Sequence, residues 1–129
     1  MRNIHLLLRP LAIACLAWNA CVVGAVVVNS SFALTRAAGG HYTSFPLGVR
    51  MTYVGMEVIV LLQIWTLIEI WRRKAINPPW LPRIFLVMNL CATFANTISS
   101  SQNERWNAIP ALIAAWAFWL YAPTKGGKP

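Results

Sequence analysis

The chain has 129 residues, of which 58% are hydrophobic and 11% are charged, and its formal net charge is +8. Soluble domains are about half apolar and about one quarter charged, so this composition excludes an ordinary water-soluble domain and favours an integral membrane protein. The basic residues lie between apolar segments, which argues against a nucleic-acid-binding surface. The three cysteines lie inside apolar segments without a Cys-x-x-Cys pair, which argues against a zinc site or a redox pair.

The first predicted membrane span is Leu11–Val28, inside a stretch without formal charge from residue 10 to residue 35. Small residues recur along it at the four-residue spacing that allows helices to pack closely. These helix-packing candidates are Ala17, Ala20, Cys21 and Gly24. A cleaved signal peptide is an alternative, because basic residues precede the apolar run and small residues follow it. The run is long for a signal peptide, so we expect a retained span.

The second predicted span, Met51–Trp71, contains the acidic residue Glu57. A carboxyl group at the centre of a span costs about 2.5–3.5 kcal/mol on insertion scales, so we expect it to face protein. Two interpretations stay open. Glu57 either ties helices together by hydrogen bonds or takes part in moving a proton or a substrate.

A basic cluster lies between the second and third spans. Each Lys or Arg near an anionic membrane surface contributes about 1 kcal/mol, so the sequence predicts contact with lipid headgroups. The residues concerned are Arg72, Arg73, Lys74 and Arg83.

The third predicted span, Leu81–Ser100, carries a polar stripe. Asn89, Thr93 and Asn96 follow one another at helical spacing, and lipid would reject such a stripe. We therefore expect an intramembrane polar cluster that joins three spans, either as a hydrogen-bond network or as a pocket for a small polar ligand. Its predicted members are Asn19, Tyr53, Glu57, Asn89, Thr93 and Asn96.

The fourth predicted span is Asn107–Ala122, with Ala111 and Ala115 as its small packing residues. The preceding polar segment, residues 99–105, is expected to form a solvated turn.

The distribution of Lys and Arg predicts the orientation. Eight of these residues flank the N-terminus, the second loop and the C-terminus, and three lie in the first and third loops. They are Arg2, Arg9, Arg72, Arg73, Lys74, Arg83, Lys125 and Lys128 against Arg36, Arg50 and Arg105. The positive-inside rule then places both termini in the cytoplasm. The predicted fold is an all-α integral membrane bundle of four transmembrane helices, one domain over residues 1–129, in the bacterial plasma membrane.

The functional prediction starts from the lack of a catalytic, cofactor or metal motif. Both histidines lie outside the spans, and no nucleophile stands beside a base. We therefore predict a non-enzymatic accessory or structural subunit of a larger membrane complex, without a cofactor. Its expected partners are membrane lipids, including anionic headgroups, and other membrane subunits or further copies of itself, but not nucleic acid. The alternative is a small proton-coupled transporter that uses Glu57, and an enzyme acting on lipid ranks third.

Overall fold

A computed structural model describes residues 2–72 and 75–121, with side chains from residue 6 onward. Within these residues every regular element is helical and no strand occurs, which confirms the predicted all-α class. The helices are α1 (Arg2–Val27), α2 (Leu47–Trp71), α3 (Leu81–Thr97), the short α4 (Gln102–Arg105) and α5 (Ala108–Tyr121). Two 3₁₀ turns, Ser31–Ala33 and Ala38–Gly40, lie in the loop between α1 and α2.

The end of α1 is set by Asn29, whose φ of 56° is left-handed. The Ser30 N–H donates to the Ala25 carbonyl at 2.8 Å, and the Asn29 N–H donates to the Val26 carbonyl at 2.9 Å. This pattern is the Schellman motif, which satisfies the last carbonyls of a helix and turns the chain away. The start of α1 at Arg2 lies well before the predicted span start at residue 11.

Prolines mark the starts of the next two long helices. Pro46 directly precedes α2, and Pro82 lies in the first turn of α3, where a missing N–H leaves no helical hydrogen bond unmade. The observed helix ends differ from the predicted span ends by a few residues. α2 begins four residues before Met51, and α3 ends at Thr97 rather than at residue 100.

The four long helices form a ring in the order α1, α2, α3, α5. α1 packs extensively against α2 and α5, and α3 packs extensively against α5. α2 and α3 approach each other at few positions, so the α2/α3 seam is the loosest of the four. One end of the ring carries the first loop (residues 28–46) and the third loop (residues 98–107), and we call it the loop end. The other end carries Arg9, Arg72 and Arg83, and we call it the basic end.

Two apolar clusters hold the ring together. The larger one, in the half next to the basic end, centres on Leu16 and Phe118, which are fully buried, and includes a Phe85–Phe118 ring contact with centroids 5.4 Å apart. The smaller one joins Val22 and Val26 of α1 to Phe45 of the first loop. Dispersion contacts between such closely packed side chains are individually small but add up to hold the helices together.

Alanines allow the tight packing of α5. Ala111 and Ala115 are 1% exposed, and Ala114 and Ala117 are fully buried. Because these side chains are small, the helix backbones come close together. The predicted small residues of α5 therefore lie inside the bundle.

Two helices are long and apolar enough to cross a membrane, by length and composition alone: Leu6–Val27 and Leu47–Trp71. Only 28% and 22% of their most apolar windows are buried inside the protein, so most of this apolar surface faces outward. α3 with 17 residues and α5 with 14 residues are shorter. At about 1.5 Å per residue they extend over about 26 Å and about 21 Å.

Candidate functional site

A cavity of about 230 Å³ lies between the four long helices, reaching from the loop end to about the middle of the bundle. Both α2 and α3 line it, and these two helices approach each other at few positions. Its lining mixes apolar side chains with amides, one phenol and two charged groups. The polar lining residues are Asn19, Arg36, Tyr53, Gln63, Asn89, Asn96, Glu104 and Asn107.

The floor of the cavity is a pair of buried amides. Gln63 of α2 is 5% exposed and Asn89 of α3 is 4% exposed. The Asn89 Nδ2 donates to Gln63 Oε1 at 2.7 Å and to the Phe85 carbonyl at 2.7 Å, so both of its N–H groups are used. The pair ties α2 to α3 across their loose seam.

The walls carry two amides with unused hydrogen-bonding capacity. Within the described residues, the side chains of Asn19 on α1 and Asn96 on α3 form no hydrogen bond, although both line the cavity. Tyr53 of α2 stands nearer the loop end, where its hydroxyl interacts with the backbone of Ala38 in the first loop. These amides can each donate to and accept from a molecule in the cavity.

The first and third loops cover the loop end of the cavity through Glu104. Its Oε2 accepts from the Gly39 N–H at 2.8 Å and from the Ser99 hydroxyl at 2.5 Å. Ser101 caps α4 by accepting from the Glu104 N–H, and its own hydroxyl donates to the Thr35 carbonyl. The two loops therefore form one lid, whereas the sequence predicted a solvated turn at residues 99–105.

Asn107 fixes the same lid to α1. Its Nδ2 donates to the Arg36 carbonyl at 3.1 Å, and its Oδ1 accepts from Trp18 Nε1 at 2.9 Å. The guanidinium of Arg36 lies 4.3 Å from the centre of the Phe32 ring and donates to the Phe32 carbonyl at 3.1 Å. The charged group of Arg36 is therefore already engaged within its own loop.

His41 and Ser100 form a further contact in the lid. The Ser100 hydroxyl lies 3.0 Å from His41 Nε2 and 3.0 Å from the Gly39 carbonyl, to which it donates. Both side chains are exposed on the outer surface of the lid. Their contact holds one loop to the other.

Glu57 lies outside the cavity, at the α1/α2 seam. Its carboxyl oxygens are 3.8 Å from the point where a Cβ on Gly24 would stand, so the lack of a side chain at Gly24 leaves it room. Its Oε2 is enclosed and has no hydrogen-bond partner among the described residues. Glu57 is thus separated from the amides that line the cavity.

Four of the six predicted polar residues therefore share the cavity: Asn19, Tyr53, Asn89 and Asn96. Thr93 instead donates to the Asn89 carbonyl of its own helix at 2.8 Å. The sequence interpretation missed four polar lining residues. These are Arg36, Gln63, Glu104 and Asn107.

The predicted lipid-contacting residues lie at the basic end as far as they are described. Arg72 is exposed and makes a 3.4 Å ion pair with Glu69, and Arg83 is exposed in the first turns of α3. Arg73 and Lys74 lie outside the described residues. Arg9 is held at the same end, with its guanidinium 5.8 Å from the Trp71 ring and its Nε donating to the Tyr121 hydroxyl at 3.4 Å.

The predicted packing residues of α1 are only partly used by the bundle. Ala17 and Cys21 are exposed, while Ala20 and Gly24 are half-buried. Ala14, one turn before Ala17, is exposed as well. The small-residue face of α1 (Ala14, Ala17 and Cys21) therefore faces outward, unlike that of α5.

Among the described residues, no three His, Cys, Asp or Glu side chains group closely enough to hold a metal ion. The chain has only three acidic residues, and they lie in separate places: Glu57 at the α1/α2 seam, Glu69 at the basic end and Glu104 in the lid. No protein-family model, curated protein or solved structure matches the chain significantly.

Proposed function

We propose that this chain is a four-span membrane protein with both termini in the cytoplasm, located in a bacterial plasma membrane, and that it acts as an accessory subunit of a larger membrane complex. The outward apolar surface of α1 and α2 supports the membrane location. α3 and α5, at about 26 Å and about 21 Å, would span by local thinning of the bilayer. The hydrogen-bonded first and third loops lie together at the loop end, as alternating spans require.

The charge distribution over the whole sequence supports the orientation, with eight Lys and Arg residues on the predicted cytoplasmic side and three on the other side, although the described side chains place three arginines at each end. Arg9, Arg72 and Arg83 lie at the basic end, where anionic headgroups of the cytoplasmic leaflet would attract them. Trp71 and Trp80 are exposed near the same end, at the depth where aromatic residues favour the membrane interface.

The observation that carries the subunit role is the outward small-residue face of α1. In lipid, helices associate through close packing of small residues and through interhelical hydrogen bonds. Ala14, Ala17 and Cys21 offer such a face, and Glu57 lies beside it at the α1/α2 seam, where its Oε2 is enclosed without a hydrogen-bond partner among the described residues. A partner helix on this face would cover the seam.

Copurification tests the subunit role. The tagged protein is purified from its native membrane in mild detergent, and comigrating proteins are quantified by mass spectrometry. We expect a partner at fixed stoichiometry, lost from Ala17→Trp and Cys21→Trp and retained by Ala95→Trp, since Ala95 is exposed on the distant helix α3. The proposal would be refuted if the wild type purifies without a partner, or if all three variants lose the partner equally.

The cavity favours one second candidate, the small proton-coupled transporter. In this function a substrate would occupy the cavity while Glu57 gains and loses a proton. Glu57 is not a lining residue, so coupling would have to pass along α2 to Tyr53, one turn away. The variant Glu57→Gln distinguishes the two functions. If the protein is a transporter, the variant in proteoliposomes stays folded but no longer takes up the substrate. If the protein is a subunit, the variant still copurifies with its partner.

A further inference from the structure

The cavity presents hydrogen-bonding groups that the protein itself does not use. Besides the amides of Asn19 and Asn96, the floor pair leaves Gln63 Nε2 and Asn89 Oδ1 without a partner among the described residues. Polar groups inside an apolar bundle cost free energy unless they are hydrogen-bonded. Water or a ligand must therefore complete this set, which contains both donors and acceptors.

The charges around the cavity argue that such a ligand is uncharged. Its lining contains one cation and one anion, Arg36 and Glu104. The first is engaged by the Phe32 ring and carbonyl, and the second accepts two hydrogen bonds in the lid. Neither group lies at the floor, where the amides are neutral.

The shape of the cavity argues for an apolar body beside the polar group. Met56 and Ile59 of α2 face Met88 and Ala92 of α3 across the cavity, so much of the wall is hydrocarbon and thioether. A volume of about 230 Å³ equals that of about eight water molecules at ~30 Å³ each. A molecule the size of a substituted benzene ring fits this space.

Entry is available through the α2/α3 seam. The lid closes the loop end, and the buried Gln63–Asn89 pair closes the cavity towards the basic end. Between these two closures, Met56 of α2 lines the cavity and is 42% exposed, and α2 and α3 make few contacts, so a route into the cavity would run sideways between these helices. A ligand that partitions into a bilayer can use this route.

We propose that the cavity is a binding site for a small uncharged molecule that carries an amide, carbonyl or hydroxyl group on an apolar body. The polar group bonds to the amides of Asn19, Gln63 and Asn96, and the apolar body packs against Met56 and Met88. This site is separate from the small-residue face of α1, so the proposed subunit would bind a small ligand in addition to its partner protein.

Benzamide is the probe, because it has one amide that donates and accepts and one apolar ring. Its binding to the full chain in phosphatidylcholine nanodiscs is measured by equilibrium dialysis, with empty nanodiscs subtracted. Benzoate and ethylbenzene serve as charged and apolar probes of similar shape. We expect saturable benzamide binding in the millimolar range, about the affinity of a fragment, and at least about tenfold weaker binding of the other two.

Two kinds of variant locate the binding. Ala92→Phe fills the cavity, and Ala95→Phe adds the same side chain to the exposed face of the same helix. We expect benzamide binding to be lost from the first variant and unchanged in the second. If Ala92→Phe does not fold, Asn19→Leu and Asn96→Leu replace it, since they break no hydrogen bond among the described residues, and each should weaken benzamide about tenfold.

Three results would overturn the proposal. Equal benzamide binding by the wild type and by the cavity variants would show that the cavity holds water only. Ethylbenzene binding as tightly as benzamide would show that the amides do not contribute. Tighter binding of benzoate would show that the site selects charge.

Discussion

The Gln63–Asn89 pair offers the sharpest test of how the bundle is held together. It is a buried side-chain bond across the α2/α3 seam, where the helices otherwise make few contacts. Interhelical hydrogen bonds in a membrane average about 0.6 kcal/mol and reach about 1.7 kcal/mol. Because the Asn89 Nδ2 to Gln63 Oε1 distance is 2.7 Å and both residues are at most 5% exposed, we expect a coupling energy of about 1–1.5 kcal/mol.

A double-mutant cycle measures this coupling. Gln63→Leu breaks one hydrogen bond, whereas Asn89→Leu also breaks the bond to the Phe85 carbonyl and should destabilise the bundle more. Unfolding in mixed micelles of increasing dodecyl sulfate content is followed by fluorescence of the seven tryptophans. Asn96→Leu is the matched control on α3, because it removes an amide without breaking a hydrogen bond among the described residues.

A coupling energy below about 0.3 kcal/mol, the usual error of additivity, would refute this reasoning. The packing of the helices would then position the floor amides, and the hydrogen bond between these amides would not stabilise the bundle. A cost of Asn96→Leu equal to that of Asn89→Leu would refute it as well, because loss of polarity alone would explain both.

Three further predictions concern the lid and the core. Glu104→Ala removes two charge-assisted hydrogen bonds of the lid, so it should speed limited trypsin cleavage in the first loop several-fold. Gln102→Ala, at an exposed position on the same helix, should leave the cleavage rate unchanged. Equal cleavage rates of these two variants would contradict the lid. Gly39→Ala should destabilise the protein by about 1–2 kcal/mol, because φ at this residue is 72° and a Cβ would lie 2.7 Å from an imidazole carbon. Gly55→Ala, inside α2 and with nothing near its Cβ, should stabilise the protein by about 0.5–1 kcal/mol. Shifts of equal sign for the two variants in thermal unfolding would contradict one of these two assignments. Ala114→Leu should cost about 1–3 kcal/mol in the same unfolding assay by overfilling a site that is fully buried, and an unchanged midpoint would show that the core is loose there.

The helical architecture was readable from the sequence because long apolar runs end at local signals. Pro46 and Pro82 mark helix starts, and these residues act through their own backbone. The polar stripe of α3 was readable in the same way, since Asn89 and Asn96 repeat at helical spacing and the structure turns both towards the cavity. Gln63 shares the cavity-facing stripe of α2 with Tyr53, so the same spacing rule could have found it.

The position of Glu57 could not be read so simply. Its depth along α2 matches the cavity, but at about 100° per residue it points about 80° away from the centre of the stripe formed by Tyr53, Val60 and Gln63. What settles its place is Gly24, which leaves space at the α1/α2 seam. The periodicity of one helix shows which residues share a face, but it does not show which residue of another helix that face contacts.

The lid was hidden for a related reason. Glu104 and Asn107 sit in a polar segment whose composition suits a solvated turn. Their partners, the Gly39 N–H and the Arg36 carbonyl, are backbone groups 65 and 71 residues away. Every residue has the same backbone groups, so the sequence does not show which of them a side chain will bind. The partners of Glu104 and Asn107 are therefore known only once the structure of both loops is known.

The loose α2/α3 seam falls between helices that are consecutive in the chain, whereas the extensive α1/α5 contact joins the first helix to the last. Cutting the chain between residues 72 and 81 would therefore yield two hairpins whose main shared surface is intact. Such halves, produced as separate polypeptides, should reassemble through α1 and α5. The chain is therefore suited to division into two fragments, because the segment that links α2 to α3 joins the two helices that pack against each other least.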